Sequence, residues 1–389
     1  MVLKIELIFA HNDAQATMRN TPIIKTLFAK RRMLVFVVCC LASFTLSGQN
    51  RWGITASGSW GFLAPHHKPM QYLINGHTLS ASLGLRLRFS DKTHWLQSWR
   101  YPDISLQYGF SSLGNREVLG YAHSLICNAD IRIAGNAQHA LFYTLGGGPA
   151  FLTRPFDRET NYLNTAIGSH LNAHFRLGLG YSFTPRNSPH TSFRAGLQFN
   201  HYSNGSLFKP NLGLNLVTVG MGIVCYTGQS DSTQTDNPPV LVRHSGAWVP
   251  TLHVSVGLRQ RAVYDPRHYP VLALNANFNY SVSSRRMLGP GIELNYDMLT
   301  ESVLLDNLAT ASHSPFRMGI HLNQDLYFGN IILSLQAGVY LVNPKKSEGY
   351  IYDRIGFRYR FHKNLMAGLM LKSHLSVADC FELSFGYRW

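Results

Sequence analysis

The chain has 389 residues, of which 14% are charged and 45% hydrophobic, and its net charge is +15. Plentiful Gly, Tyr, Phe, Asn and Ser with so little charge argues against a helical protein and for many alternating strands. The length admits two or three ordinary domains or one large β structure. The positive balance asks for an acidic partner, nucleic acid or phosphorylated lipid, and the compartment decides between them.

Residues 30–48 address the compartment. Lys30-Arg31-Arg32 precedes Met33, the apolar run Leu34 to Leu46, and the small residues Ser47 and Gly48. A basic start, a short apolar core and a small-residue end make a secretory signal, too short for a spanning helix. Residues 1–48 are therefore read as a signal peptide, with Met33 an alternative start. A secreted chain does not meet nucleic acid, which leaves phosphorylated lipid. Cys127, Cys225 and Cys380 remain beyond the signal, an odd and widely spaced set that predicts neither a disulfide framework nor a zinc site.

Beyond residue 48 the dominant period is two. Leu79, Ala81, Leu83, Leu85 and Leu87 alternate with Ser80, Ser82, Gly84, Arg86 and Arg88. Leu171, Ala173, Phe175, Leu177 and Leu179 alternate with Asn172, His174, Arg176 and Gly178. Such segments run about 10–13 residues, the length of transmembrane strands. Gly146-Gly147-Gly148-Pro149 reads as a strand bend and not a phosphate cradle. Trp52, Trp60, Trp95, Trp99, Tyr181, Tyr226, Tyr327 and Tyr340 are expected to form interfacial girdles.

The stretch 191–225 carries the chemistry. Phe193, Ala195, Leu197 and Phe199 form an apolar row that His201 and Ser203 continue, because residues two apart share a strand face. Asn215 begins the apolar row Val217, Val219, Met221 of the next strand, after a loop holding Pro210, Asn211 and Gly213. A hydroxyl, an imidazole and an amide carbonyl in phase are the parts of a Ser-His-Asn triad, with Ser203 as nucleophile, His201 as base and Asn215 holding the base. An apolar row ending in these groups beside a loop suits an enzyme acting on lipid. Backbone N–H groups around Asn204, Gly205 and Ser206 are the expected oxyanion donors, and Asn211 supports that loop.

Residues 229–247 form a polar linker, and alternation resumes over 248–389. Leu272, Leu274, Ala276 and Phe278 alternate with asparagines. His374-Leu375-Ser376 echoes the earlier His-x-Ser, but Leu369, Leu371, Leu375 and Val377 hold the apolar row, so His374 and Ser376 are expected to face inward. The chain stops on Phe381, Leu383, Phe385, Tyr387 and Trp389 in alternation, which resembles the terminal strand of outer-membrane proteins read by the barrel insertion machinery. The fold class is all-β, a transmembrane antiparallel barrel, since lipid forbids an open sheet edge. About sixteen segments fit one barrel of 14–16 strands, the preferred reading, or two tandem 8-stranded barrels.

The central residues resemble the lipid A deacylase (PagL-type, acyloxyacyl hydrolase) family, which carries His-x-Ser-Asn followed by a Lys and a Pro-Asn-x-Gly-x-Glu block. His201, Ser203, Asn204, Lys209, Pro210, Asn211 and Gly213 match, and Asn215 stands where the family has a catalytic Glu. There is partial similarity to outer-membrane phospholipase A, whose His-x-Ser-Asn-Gly matches through Gly205 and which has an Asn at the Ser203–Asn215 spacing; the Trp and Arg flanking that Asn are absent here. The resemblance implies a carboxylic ester hydrolase of the Gram-negative outer membrane that acts on lipid A over residues 49–228; with a net charge of +15, Lys209, in the loop between Ser203 and Asn215, is then expected on a substrate phosphate. It implies no metal and no cofactor, calcium entering only under the phospholipase reading, and a bilayer setting as monomer or homodimer. A non-catalytic barrel, channel or structural, with a decayed site is the alternative from another class.

Overall fold

The computed structural model describes residues 50–89, 93–227, 246–300, 315–344, 348–375 and 377–389. The expected signal peptide and most of the linker lie outside the described residues. The alternating segments form sixteen strands, because each exposes one apolar row to lipid and turns the other inward. Leu79, Leu83 and Leu85 are exposed while Arg86, one register over, is 2% exposed.

The first eight strands are β1 (Arg51–Leu63), β2 (Thr78–Arg88), β3 (Asp103–Ser112), β4 (Tyr121–Gly135), β5 (His139–Leu152), β6 (Leu171–Phe183), β7 (Thr191–Ser203) and β8 (Leu214–Tyr226). The second eight are β9 (Trp248–Gln260), β10 (His268–Ser283), β11 (Arg286–Asp297), β12 (Phe316–Phe328), β13 (Ile331–Val342), β14 (Ile351–Arg360), β15 (Leu365–His374) and β16 (Val377–Arg388). They close as two barrels of eight and not as the preferred single ring. β8 returns to β1 in the register Gly53↔Tyr226 to Leu63↔Leu216, and β16 returns to β9 from Phe381↔Leu258 onward. Alternation identifies strands but not the strand on which a sheet closes, which is why both rings were compatible with the pattern.

Eight strands enclose a space that side chains alone can fill, and here ion pairs fill it. In the first barrel Arg86 and Arg194 meet Asp130 at 2.5 and 2.8 Å, and Arg88 meets Asp103 at 2.8 Å. In the second, Arg354 binds Glu293 (2.8 Å) and Glu382 (2.9 Å), Lys372 binds Glu293, and Arg259 joins Asp297 to Asp379. The girdle expectation needs correction. Trp60 and Tyr181 are exposed, but Trp99, Tyr226, Tyr327 and Tyr340 are buried. Tyr226 gives its hydroxyl to Asp103 (2.9 Å). Strand-end position does not reveal that these rings have a polar partner, and a phenol can be held inside where one exists.

Gly146 to Gly148 do lie within a strand, β5, where a Cβ on Gly148 would collide with the Leu125 carbonyl of β4. Loops over one end of the first barrel bury an apolar cluster including Leu63, Met70, Leu113, Ile167, Tyr202 and Leu214. The barrels touch at both ends. Away from that cluster, Trp99 stacks on Phe328 with centroids 4.3 Å apart and donates to the Tyr327 carbonyl at 2.7 Å. At the loop-covered end, Ser206 Oγ donates to the Ala378 carbonyl at 2.6 Å.

Candidate active site

The site lies where β7 ends and β8 begins. Phe193, Leu197 and Phe199 of β7 and Val219, Met221 and Ile223 of β8 are exposed, so the row that ends in His201 and Asn215 is the outer, lipid-facing wall. His201 and Asn215 are direct cross-strand partners. Their side chains meet, His201 Nδ1 to Asn215 Oδ1, at 2.6 Å. Gly213 allows the close fit: its φ is +76°, and a Cβ there would sit 2.8 Å from His201 Cε1.

Ser203 follows on the same row but is 1% exposed, because the 204–213 loop folds over it. Its Oγ accepts from the Gly205 N–H at 3.1 Å and from Asn211 Nδ2 at 2.9 Å and donates to Asn211 Oδ1 at 3.3 Å, so its hydroxyl is turned to Asn211 and not to His201. Asn211 Oδ1 accepts the Asn204 N–H at 3.1 Å. Asn211 thus braces both sides of the serine, a tighter role than general support of the loop. Asn204 anchors the loop by donating from Nδ2 to Ser169 Oγ (3.0 Å) and the Phe208 carbonyl (2.9 Å). Gly205 and Ser206 take φ of +62° and +64°, a tight left-handed turn that brings the Gly205 N–H back onto Ser203 Oγ. A side chain at Gly205 would collide with the Phe381 ring of β16. Lys209 Nζ donates to Ser206 Oγ at 3.1 Å, so its charge sits over the turn beside the serine and not on Ser203 itself.

Two contributors escaped the sequence. One is His66, in the loop after β1. Its Nε2 lies 2.7 Å from the Leu212 carbonyl and its Nδ1 2.9 Å from Asn215 Nδ2. The other is Gln260 at the end of β9, whose N–H donates to the Ser206 carbonyl (3.0 Å) and whose Oε1 accepts the Lys209 N–H (2.6 Å). Neither lies in a recognisable pattern, and both reach the site from distant sequence. A His-His pair directly after an apolar strand was the only available hint.

The hydrogen-bond chain fixes protons. A carbonyl can only accept, so His66 Nε2 carries the proton against Leu212 and, in the neutral ring, Nδ1 is a lone pair. Asn215 must then donate from Nδ2, which turns Oδ1 to His201. His201 Nδ1 must carry its proton, and Nε2 is left basic. This is the tautomer a serine-activating base needs.

Two closed barrels with apolar outer walls define the class, an outer-membrane β-barrel. Residues 81–224 match the family model "Lipid A 3-O-deacylase (PagL)", and residues 248–389 match "Acyloxyacyl hydrolase, C-terminal domain". Each barrel thus matches a model of the PagL-type lipid A deacylases, a family of hydrolases acting on ester bonds, and the place of the chain is the Gram-negative outer membrane. Among solved structures it is similar to the outer membrane enzyme PagL, with 18% identity over 43% of this chain and 97% of that one, and a TM-score of 0.28. It is also similar to Neisserial surface protein A, with 12% identity over 45% of this chain and 96% of that one, and a TM-score of 0.30. No curated protein matches the chain.

Proposed function

We propose that the protein is a serine esterase that removes an ester-linked acyl chain from lipid A. The 2.6 Å His201–Asn215 hydrogen bond, two residues from Ser203 on a lipid-facing wall, carries the reading. Ser203 Oγ attacks the ester carbonyl carbon while His201 Nε2 takes its proton. The Gly205 N–H and Asn211 Nδ2, which rest on Ser203 Oγ, shift to the neighbouring substrate oxygen as the oxyanion forms there. Collapse expels the sugar hydroxyl, which takes the proton back from imidazolium, and leaves the acyl group on Ser203. Water, deprotonated by His201, then attacks the acyl carbon, and the imidazolium returns that proton to Ser203 Oγ as the fatty acid leaves. These steps balance with water as the sole co-reactant.

The acyl chain runs along the exposed row Leu177, Phe199 and Val219, and Lys209 meets a phosphate of the head group. Asn215 orients the imidazole but cannot offset its positive charge as a carboxylate would, so turnover is slower than with Glu at this position. Purified protein, given lipid A and a diacyl phospholipid in matched micelles, should release fatty acid faster from lipid A. Faster release from phospholipid would replace this reading with a phospholipase A, and no release from either would return the barrel to a non-catalytic role.

A further inference from the structure

We infer that His66 is a positioning residue that locks the Asn215 amide in its catalytic orientation. The inference rests on the proposed esterase reading and extends it to a residue that touches no reacting atom. A carboxylate at position 215 would present an acceptor to His201 whichever way it rotated. An amide presents an acceptor in one orientation and a donor in the other. Something must choose, and the choice decides the tautomer of His201.

His66 makes the choice. The Leu212 carbonyl fixes the proton on its Nε2, which leaves Nδ1 to accept from Asn215 Nδ2. If the amide were reversed, Oδ1 would face the His66 lone pair and Nδ2 would face His201 Nδ1. His201 would have to accept there and move its proton to Nε2, where it could no longer take one from Ser203. The three-residue relay therefore does for an amide what charge does for a carboxylate.

The relay is sensitive to acid. Protonated His66 has no lone pair, so it can only donate, and the favoured partner becomes Asn215 Oδ1. The titratable groups facing His66 are His67, with ring centroids 4.5 Å apart, and His201 across Asn215. Burial of one side of the ring, chiefly, and the neighbouring His67 hold His66 below its ordinary value. The amide stays correctly turned above that pKa, and its orientation is lost as pH falls through it.

Turnover of lipid A should be compared across pH for wild type, His66→Phe, His66→Gln, Asn215→Glu and the Asn215→Glu/His66→Phe double variant. His66→Phe keeps the ring volume and removes the acceptor, and should lower kcat about tenfold with KM unchanged, the worth of one oriented hydrogen bond. His66→Gln offers an uncharged acceptor, so it should keep most of kcat and show a shallower acid limb. In the Asn215→Glu background His66→Phe should change nothing. Equal kcat in wild type and His66→Phe, or the same tenfold loss in the Asn215→Glu background, would overturn the role. A wild type inactive on lipid A would overturn the esterase reading instead. The positioning role then stands or falls on nitrogen-15 imidazole NMR: His201 should be the Nδ1–H tautomer in wild type and mixed in His66→Phe. An unchanged tautomer would refute it.

Discussion

The two barrels share strand number, antiparallel closure and an ion-paired interior, yet differ in what they turn outward. The first ends its lipid-facing row with His201 and its direct cross-strand partner Asn215. The second repeats His-x-Ser at His374 but turns that histidine inward, where it sits 3.0 Å from the Tyr340 hydroxyl. Ser376 lies outside the described residues. Spacing of two guarantees only a shared face. The hydrophobic register decides which face, and the neighbouring strand decides whether a partner waits there. The second barrel instead serves the first: Gln260, Ala378 and Phe381 all bear on the loop that covers Ser203.

The widest separation between the barrels should come from histidine. His201→Ala should cut turnover roughly 10⁴- to 10⁶-fold, whereas His374→Ala should leave it unchanged. Fatty-acid release, with heat-modifiable gel mobility to report folding, checks both. Equal effects would erase the distinction. Next is the serine brace: Asn211→Leu should lower kcat about 10²- to 10³-fold with little change in KM, as expected for a lost oxyanion donor. A change confined to KM would make Asn211 a loop support only.

Lys209→Ala should weaken turnover of phosphorylated lipid A by about tenfold or somewhat more, and leave a dephosphorylated substrate unaffected. Equal losses on both substrates would assign Lys209 to the loop through Ser206. Smallest is the link between barrels. Gln260→Ala removes the acceptor for the Lys209 N–H and should reduce kcat only about two- to tenfold, since the Ser206–Ala378 bond persists. Turnover rates and thermal melting would show whether the second barrel steadies the site or merely adjoins it.

Much of this was legible. Period-two alternation located the strands, and phase alone placed His201 and Asn215 on the outer wall. The register His201↔Asn215 agrees with that phase, although the ten-residue loop 204–213 between the strands does not by itself set it. Three things were not legible, for physical reasons. Ring closure depends on β8 meeting β1 across the whole first half, which no local pattern encodes. The interior tyrosines owe their burial to partners such as Asp103, which lies 123 residues from Tyr226. His66 and Gln260 belong to loops and strand ends whose positions only the closed barrels define.

Everything proposed for the site turns on whether Ser203 cuts an ester bond in lipid A. Mass spectrometry of lipid A from Gram-negative cells expressing wild type or Ser203→Ala, with both proteins folded in the outer membrane, tests it. The expected result is a lipid A species lighter by one ester-linked acyl chain with wild type and full-length lipid A with the variant. Identical profiles from the two strains would contradict a nucleophilic Ser203.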